Sequence, residues 1–554
     1  MPVDLLTSPS ETDSRRDAST MTGPDSAESL ATSSDGGNED PSGGHPRVGA
    51  DVSMLTDKTP PWLRASRQLA AITALMGLAF WFFSIKPLWH SDLWGHLAYG
   101  RQLLASGLPS TEPLMPLSQG MPYINSSWLG DLVLVGVDRA LGGAGLQGLA
   151  GILGALMVGL IAIPIARRTG RTLLACACGL AFLLLTNAEL SILRPQLLGL
   201  ACFLGSLILW QNASKSRQVW WQLPLLFALW ANLHGSFLVG LLVPLSMIVG
   251  RAFDHARRTG RLTSVLHDAR LWKLVLLTQL CAVATLLNPY QGRLWVEILT
   301  FSQNPNLAAL TDWNPLTLRA FEGQLFAVTG LILLAVLRNS PRRVSTGELL
   351  LLLSLAALGC WNTRLLVWFF PVAIWTTALH LDALLTSRKW VKAPSPRAGK
   401  WSVIIVGLVW IFFGFSPLGM RVLHGKQPTP TRLNSDFAPV EITEYLHKKP
   451  PVGQVFNSCE WGDYLLANGP AGIQLFVNSQ VQLAPREVWR DYLTVVDMGS
   501  GWSEILDRYS VNTVVLDKQF RDGLIRRMKE EAAWKLVYED ARGAVFNRRI
   551  VIDR

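Results

Sequence analysis

Charge is scarce in this sequence. Asp, Glu, Lys and Arg make up 16% of its 554 residues, against about a quarter in soluble domains. That deficit excludes an ordinary soluble multidomain enzyme. Cysteine is scarce too: there are six, Cys176, Cys178, Cys202, Cys281, Cys360 and Cys459, and all but the last lie inside apolar stretches. Their spacing supports neither a disulfide framework nor a zinc site, and Cys176 and Cys178 read as small packing residues on different faces of one helix. No internal repeat is visible. No apolar core follows Arg15 and Arg16 at the distance a cleavable signal peptide requires. What is abundant is apolar surface: 49% hydrophobic residues, 22 tryptophans and a mean hydropathy of +0.27. It comes in blocks of roughly 16 to 24 residues separated by short basic loops, the pattern of many membrane-spanning helices. The net charge of +10 then reflects membrane topology, and no nucleic-acid partner is expected.

Residues 1 to 58 are rich in Ser, Asp, Gly, Thr and Pro and nearly free of aromatics, so they read as a disordered cytoplasmic tail. Arg64 and Arg67 precede the first apolar block, Gln68 to Ile85, and place the N-terminus in the cytoplasm. Trp128 to Leu141 is apolar but carries Asp131, Asp138 and Arg139, so it reads as an interfacial helix in the first outer loop, residues 87 to 144. The remaining spans are Gly145 to Ala166, Thr172 to Ala188, Gln196 to Gln211, Val219 to Leu233, Phe237 to Arg251, Leu271 to Leu287, Gly323 to Leu337, Gly347 to Trp361, Leu365 to Leu385 and Trp401 to Met420. With the first, they make about eleven transmembrane helices in residues 64 to 420. The loops then assigned inside, such as RRTGR at Arg167 to Arg171, hold about nineteen Lys/Arg against about two acids.

Residues 421 to 554 turn polar and read as an extracytoplasmic α/β domain. Strands are expected at Gln454 to Phe456, Gln474 to Val477 and Thr513 to Leu516. Helices are expected at Glu460 to Ala467, Pro485 to Val496, Trp502 to Tyr509 and Phe520 to Trp534, with a closing hairpin turning at Ala541 to Gly543. The fold class is therefore an α-helical polytopic membrane protein with a C-terminal α/β domain.

Ionisable groups beside an apolar body are costly, so those gathered at span ends on one side are functional candidates. Asp92 and His96 lie one helical turn apart in WHSDLWGHLAYG and share a face. Asp92 doubles as a helix N-cap in an amphipathic reading of this segment. Glu189, Arg194, Asn232, His234, Asn288, Tyr290, Asp312, Asn314, Asn362 and Arg364 all fall where a span emerges outside. A lone Arg or Asn there is usually an anchor or a cap. Two arginines, a histidine and several carboxylates together suit an anionic phosphate headgroup. Trp220, Trp221, Trp230, Trp361, Trp368 and Trp375 read as interfacial and lipid-facing packing.

The acidic residue after the first span, the interfacial helix, RPQ, WANLHGSFLVG, NPY, DWNP and the outer domain beginning FNSCEWGDYL resemble, in order and sidedness, one family. It is the bacterial multi-pass membrane glycosyltransferases of the GT-C fold, relatives of protein mannosyltransferases and aminoarabinose transferases. The resemblance covers residues 64 to 554. It implies transfer of a sugar from a polyprenyl-phosphate carrier to an envelope glycan, lipid or protein acceptor, at the outer face of the bacterial inner membrane. Asp92 then corresponds to the first-loop acid that serves as general base or ligand of a divalent cation, the one cofactor implied. His96 stands beside it, and Glu112 and Asp312 are reserve carboxylates. From chemistry alone, Arg194, His234 and Arg364 are candidates to face the donor phosphate. Two departures stand out: no second acid adjoins Asp92, and FVNSQ at Phe476 to Gln480 replaces the FVDSR common in related outer domains. A transporter or flippase of a lipid-linked or anionic solute, and a non-catalytic envelope scaffold, are the alternatives.

Overall fold

The computed structural model describes Pro60 and residues 63–213, 216–310, 313–390 and 397–549. The expected tail, residues 1 to 58, and the candidate Asp312 lie outside the described residues. After strand β1 (Ala65–Ser66) the chain forms α1 (Arg67–Ser84), α2 (Leu93–Ser106), α3 (Trp128–Thr169), α4 (Thr172–Leu185), α5 (Asn187–Leu190), α6 (Pro195–Trp210), α7 (Val219–Leu233), α8 (Phe237–Thr259) and α9 (Ala269–Ala284). It continues through α10 (Gly292–Phe301), α11 (Phe321–Asn339), α12 (Thr346–Trp361), α13 (Leu366–Ser387), strand β2 (Arg397–Ala398), α14 (Gly399–Gly414) and α15 (Pro417–His424).

Each expected span has its helix. Among the described residues, five helical segments, α1, α3, α8, α11 and α13 with the 3-10 turn before it, are long and apolar enough to cross a membrane, while α4, α6, α7 and α12 are apolar but shorter. The chain is thus a polytopic membrane protein. Helix α9, standing where Leu271 to Leu287 was expected, belongs to neither group, because Arg270, Lys273 and Gln279 dilute its apolar run.

Two expectations need correction. Trp401 to Met420 is not one straight span: α14 and α15 meet at a bend of 86°. Pro417 opens the second helix, and the Ser416 hydroxyl accepts from the Gly419 amide 2.9 Å away, so a fresh N-terminus is capped at the corner. The tryptophan set is also not uniformly lipid-facing. Trp230 and Trp368 are buried in the helix core, where both ring systems pack on Phe203, while Trp221 and Trp361 are exposed.

The expected interfacial segment and the span after it form one helical run, broken at Gly142, whose φ of 65° a residue with a Cβ rarely adopts. Gln427 fills the break, donating to Leu141 O at 2.9 Å and accepting from Ala144 N at 3.4 Å.

At one end of the helix body lie the basic loops, where Arg171 pairs with Asp382 at 2.8 Å. The opposite end carries Lys86, Asn187, Ser191 and Arg194, and against it packs the C-terminal domain. That domain runs through α16 (Pro430–Leu433), α17 (Val440–Lys448), β3 (Gln454–Asn457), α18 (Cys459–Asn468), β4 (Gln474–Leu475), α19 (Arg486–Val496), α20 (Trp502–Arg508), β5 (Val511–Asp517), α21 (Lys518–Glu530), β6 (Trp534–Glu539) and β7 (Gly543–Arg548). Its sheet has the order β4-β3-β5-β7-β6, with β3 parallel to both β4 and β5, and β7 antiparallel to β5 and β6. The helix expected to reach Trp534 stops at Glu530, and Trp534 opens β6. Phe456, Phe476, Tyr492 and Phe546 fill the core between sheet and helices.

Candidate functional site

The site forms where glycines let helix ends meet. A Cβ at Gly130 of α3 would stand 2.8 Å from Pro195 Cβ and 2.9 Å from Leu233 O, so the ends of α3, α6 and α7 converge at a distance only glycine permits. On α2, Gly100 accommodates the Asp131 carbonyl, and Gly95 accommodates the Asp463 carboxyl, whose carbon would lie 2.8 Å from a Cβ there. Helix α2 is therefore pressed between α3 and α18 of the outer domain.

Asp92 occupies the N-cap position of α2, but its side chain makes no capping bond. It turns to the cations: Oδ2 accepts from Arg194 at 2.7 Å and lies 3.8 Å from Arg364. Arg194 precedes Pro195 at the first position of α6, which fixes it at the helix mouth, and its second terminal nitrogen pairs with Glu189. Arg364 leans over the Trp313 ring at 5.8 Å. Burial pushes the Asp92 carboxyl up, but Arg194 and Arg364 outweigh it and hold the group well below the usual carboxylate range.

His96, one turn along, binds the other way. Its Nδ1 lies 2.8 Å from Asp131 Oδ1, and Asp131 is 1% exposed. Asn125 donates to Asp131 Oδ2 at 2.7 Å and Ser127 to Oδ1 at 3.2 Å, while the Tyr290 hydroxyl accepts from the Asn125 amide. Burial lowers the His96 pKa, but Asp131 beside it, with Asp92 and Asp463 further off, raises it on balance.

His234 ends α7. Its Nδ1 is fixed by the Ser236 hydroxyl at 2.9 Å and the Ser236 amide at 3.1 Å. Burial and the facing cations Arg364, His96 and Arg194 lower it to about 3, so it is neutral at physiological pH.

Glu112 sits apart from this cluster. Its Oε1 accepts from the Tyr99 hydroxyl and from the amides of Leu114 and Met115, at 2.9, 2.9 and 3.1 Å. It organises the first outer loop. The departing strand end contributes here as well, since Asn478 reaches the Tyr99 hydroxyl at 3.4 Å.

Asp463 and Asp131 were missed as site residues. In the sequence alone Asp131 reads only as an obstacle to spanning, and Asp463 only as part of a helix in FNSCEWGDYL. Asp463 is 1% exposed, and neither carboxylate oxygen makes a well-formed hydrogen bond, although Ser479 stands beside it. Burial, with Asp92 nearby, pushes its carboxyl up to about 7.

A divalent cation does not suit these residues. Asp92 is surrounded by guanidinium groups, and among the described residues no three His, Cys, Asp or Glu are placed to hold a metal ion.

Fold and site together define a polytopic membrane protein with a half-buried cluster of arginines and carboxylates where its helix body meets a C-terminal α/β domain. Its structure is similar to that of ArnT from Cupriavidus metallidurans bound to undecaprenyl phosphate, with a TM-score of 0.51 and 14% identity over 88% of this chain and 99% of that one. ArnT from the same organism in the apo state also matches, with a TM-score of 0.48 and 14% identity over 85% of this chain and 96% of that one. The chain shares the fold of the lipid-bound ArnT, the GT-C arrangement expected above. No protein-family model matches the chain. No curated protein matches it.

Proposed function

We propose that this protein is an integral-membrane glycosyltransferase that moves a sugar from a polyprenyl-phosphate carrier to an envelope acceptor. The cytoplasmic membrane of a bacterium is its place, with the N-terminus inside and the α/β domain outside. The observation that carries the reading is the Arg194–Asp92–Arg364 cluster at the outer helix ends, in a fold shared with a structure that holds undecaprenyl phosphate. A guanidinium fork is the side chain best suited to a phosphate ester, because it donates two parallel hydrogen bonds and stays charged when buried. Neutral His234 adds polarity to the cluster without adding charge.

The reaction is displacement at the anomeric carbon. The acceptor hydroxyl loses its proton to a base as its oxygen bonds to the sugar, and the carrier phosphate leaves with the electron pair of the broken bond. Arg194 and Arg364 stabilise the charge on that phosphate. Asp92 keeps both arginines in place before the donor arrives.

Membranes carrying the wild type or Asp92→Asn, supplied with a pool of radiolabelled polyprenyl-phosphate sugars and native envelope acceptors, test the reading. Transfer by the wild type that falls at least about 100-fold in the variant at equal expression is the expected result, within the usual range for loss of a positioned charged group. A wild type that transfers nothing from any donor in the pool overturns it.

A further inference from the structure

Two side chains in the first turn of α2 are chemically able to take the acceptor's proton, and the structure treats them differently. Asp92 already spends its Oδ2 on Arg194 at 2.7 Å, with Arg364 at 3.8 Å. Its carboxyl is held low, and a weak base does little to draw a proton from a hydroxyl. His96 is held by a carboxylate through one nitrogen, while among the described residues its other nitrogen, Nε2, makes no hydrogen bond. Its side chain is 23% exposed, against 1% for that of Asp131 behind it. Asp131 is itself fixed by Asn125 and Ser127. A buried carboxylate that orients an imidazole, and an imidazole that keeps one nitrogen for the substrate, are the geometry of an oriented general base.

Resting on the glycosyltransferase reading above, we propose that His96 is the base that accepts the proton of the acceptor hydroxyl at Nε2. Asp131 is its positioning residue and Asp92 serves the donor end. The hydroxyl O–H bond breaks and its proton passes to Nε2. The oxygen's electron pair forms the bond to the anomeric carbon, and the pair of the breaking carbon–oxygen bond leaves on the carrier phosphate. Nδ1 keeps its proton throughout and donates it to Asp131, and the imidazolium later returns its extra proton to water.

The charged and titratable groups facing His96 are Asp131 from α3, Asp92 at the start of its own helix and Asp463 from α18. His234 at the end of α7 faces His96 as well, and Arg194 and Arg364 gather around Asp92. The three carboxylates raise its affinity for a proton against the burial that lowers it, which places its titration nearer neutrality than that of Asp92.

The test measures kcat, donor KM and the pH-rate profile of full-length wild type, His96→Gln and Asp131→Asn in membranes. Binding of undecaprenyl phosphate to each purified protein serves as the folding control. The wild-type rate should rise with pH as His96 loses its proton, with an apparent pKa above the ordinary histidine value. His96→Gln should lower kcat by ~10²–10⁴-fold, the range of general-base catalysis, with donor KM and lipid binding held within about twofold. Asp131→Asn should lower kcat by on the order of 10²-fold and move the limb to lower pH, because the carboxylate that raises His96 is gone. A purely structural Asp131 would leave the limb where it was, and that result removes its positioning role. A wild-type profile flat above pH 5, or His96→Gln with kcat within threefold of wild type, overturns the proposal while leaving the transferase reading intact. A wild type that transfers no sugar overturns both.

Discussion

Asp92 and Asp463 approach the first turn of α2 from opposite directions and end in opposite states. Asp92 comes from the membrane body and meets Arg194 and Arg364. Asp463 comes from the C-terminal domain, presses on Gly95 and meets no guanidinium, only the more distant His96. Asp463 is 1% exposed and the Asp92 side chain 23%, and burial pushes both toward the protonated form. Only Asp92 has guanidinium partners to reverse that push, so it is held ionised while Asp463 titrates at about 7. The supply of partners and depth together decide the charge of a carboxylate here. The Asp92 side of α2 therefore carries paired arginines and carboxylates, and the Asp463 side a group that changes charge near neutral pH.

The largest way to break this contrast is to remove the cation. Arg194→Ala leaves Asp92 and Glu189 without their buried partner, which should cost about 3–5 kcal/mol of stability and abolish transfer. Thermal unfolding in detergent and the transfer assay read the two effects, and a variant as stable as the wild type would show that Arg194 is not the clamp. Next comes Asp463→Asn. The native carboxyl binds its proton more tightly than an unfolded one, so its contribution to stability is complete below about pH 4 and lost as pH rises through about 7. The full difference is on the order of 4 kcal/mol. Wild-type melting temperature should fall between pH 5 and 8, and the variant should flatten that fall and melt higher at pH 8. An unchanged slope would mean that Asp463 is solvated or paired in solution.

Gly95→Ala should be milder. Its methyl would meet the Asp463 carboxyl and force α2 and α18 apart, at about 1–3 kcal/mol for overpacking, with a partial loss of transfer. Wild-type stability in this variant would show that the two helices do not rely on close approach. The smallest effect belongs to Glu112→Gln. It keeps an acceptor for Tyr99, Leu114 and Met115 but loses the charge, worth about 1 kcal/mol in hydrogen-bond strength. The pH-rate limb should not move, and a shifted limb would bring Glu112 into the chemistry.

Much of this arrangement is legible in the sequence, and for stated reasons. Apolar blocks between basic loops are dictated by the bilayer, so the helices fall where expected even where their ends differ. Polar residues at outer helix ends are expensive enough to stand out, which is how Asp92, Arg194, His234 and Arg364 were singled out. The rest depends on tertiary approach. Asp131 looked like an obstacle to spanning because its partner His96 lies in another helix. Asp463 reaches α2 from a separate domain, by way of a glycine whose role is invisible until the two helices touch. The bend at Ser416 was written locally, in a Ser-Pro pair inside an apolar run, but the run's hydrophobicity outweighed it.

The short pairing of β1 with β2 joins Ala65 to Ala398 and Ser66 to Arg397. It sets the start of α1 beside that of α14, and Phe412 of α14 packs where a Cβ of Gly77 would sit. The first apolar helix to leave the ribosome thus has its resting neighbour more than three hundred residues behind it in synthesis. Contacts so distant along the chain form late. The flank of α1 that packs against α14 can be covered by it only once α14 has been made. The pairing of β1 with β2 thus joins two membrane helices made more than three hundred residues apart.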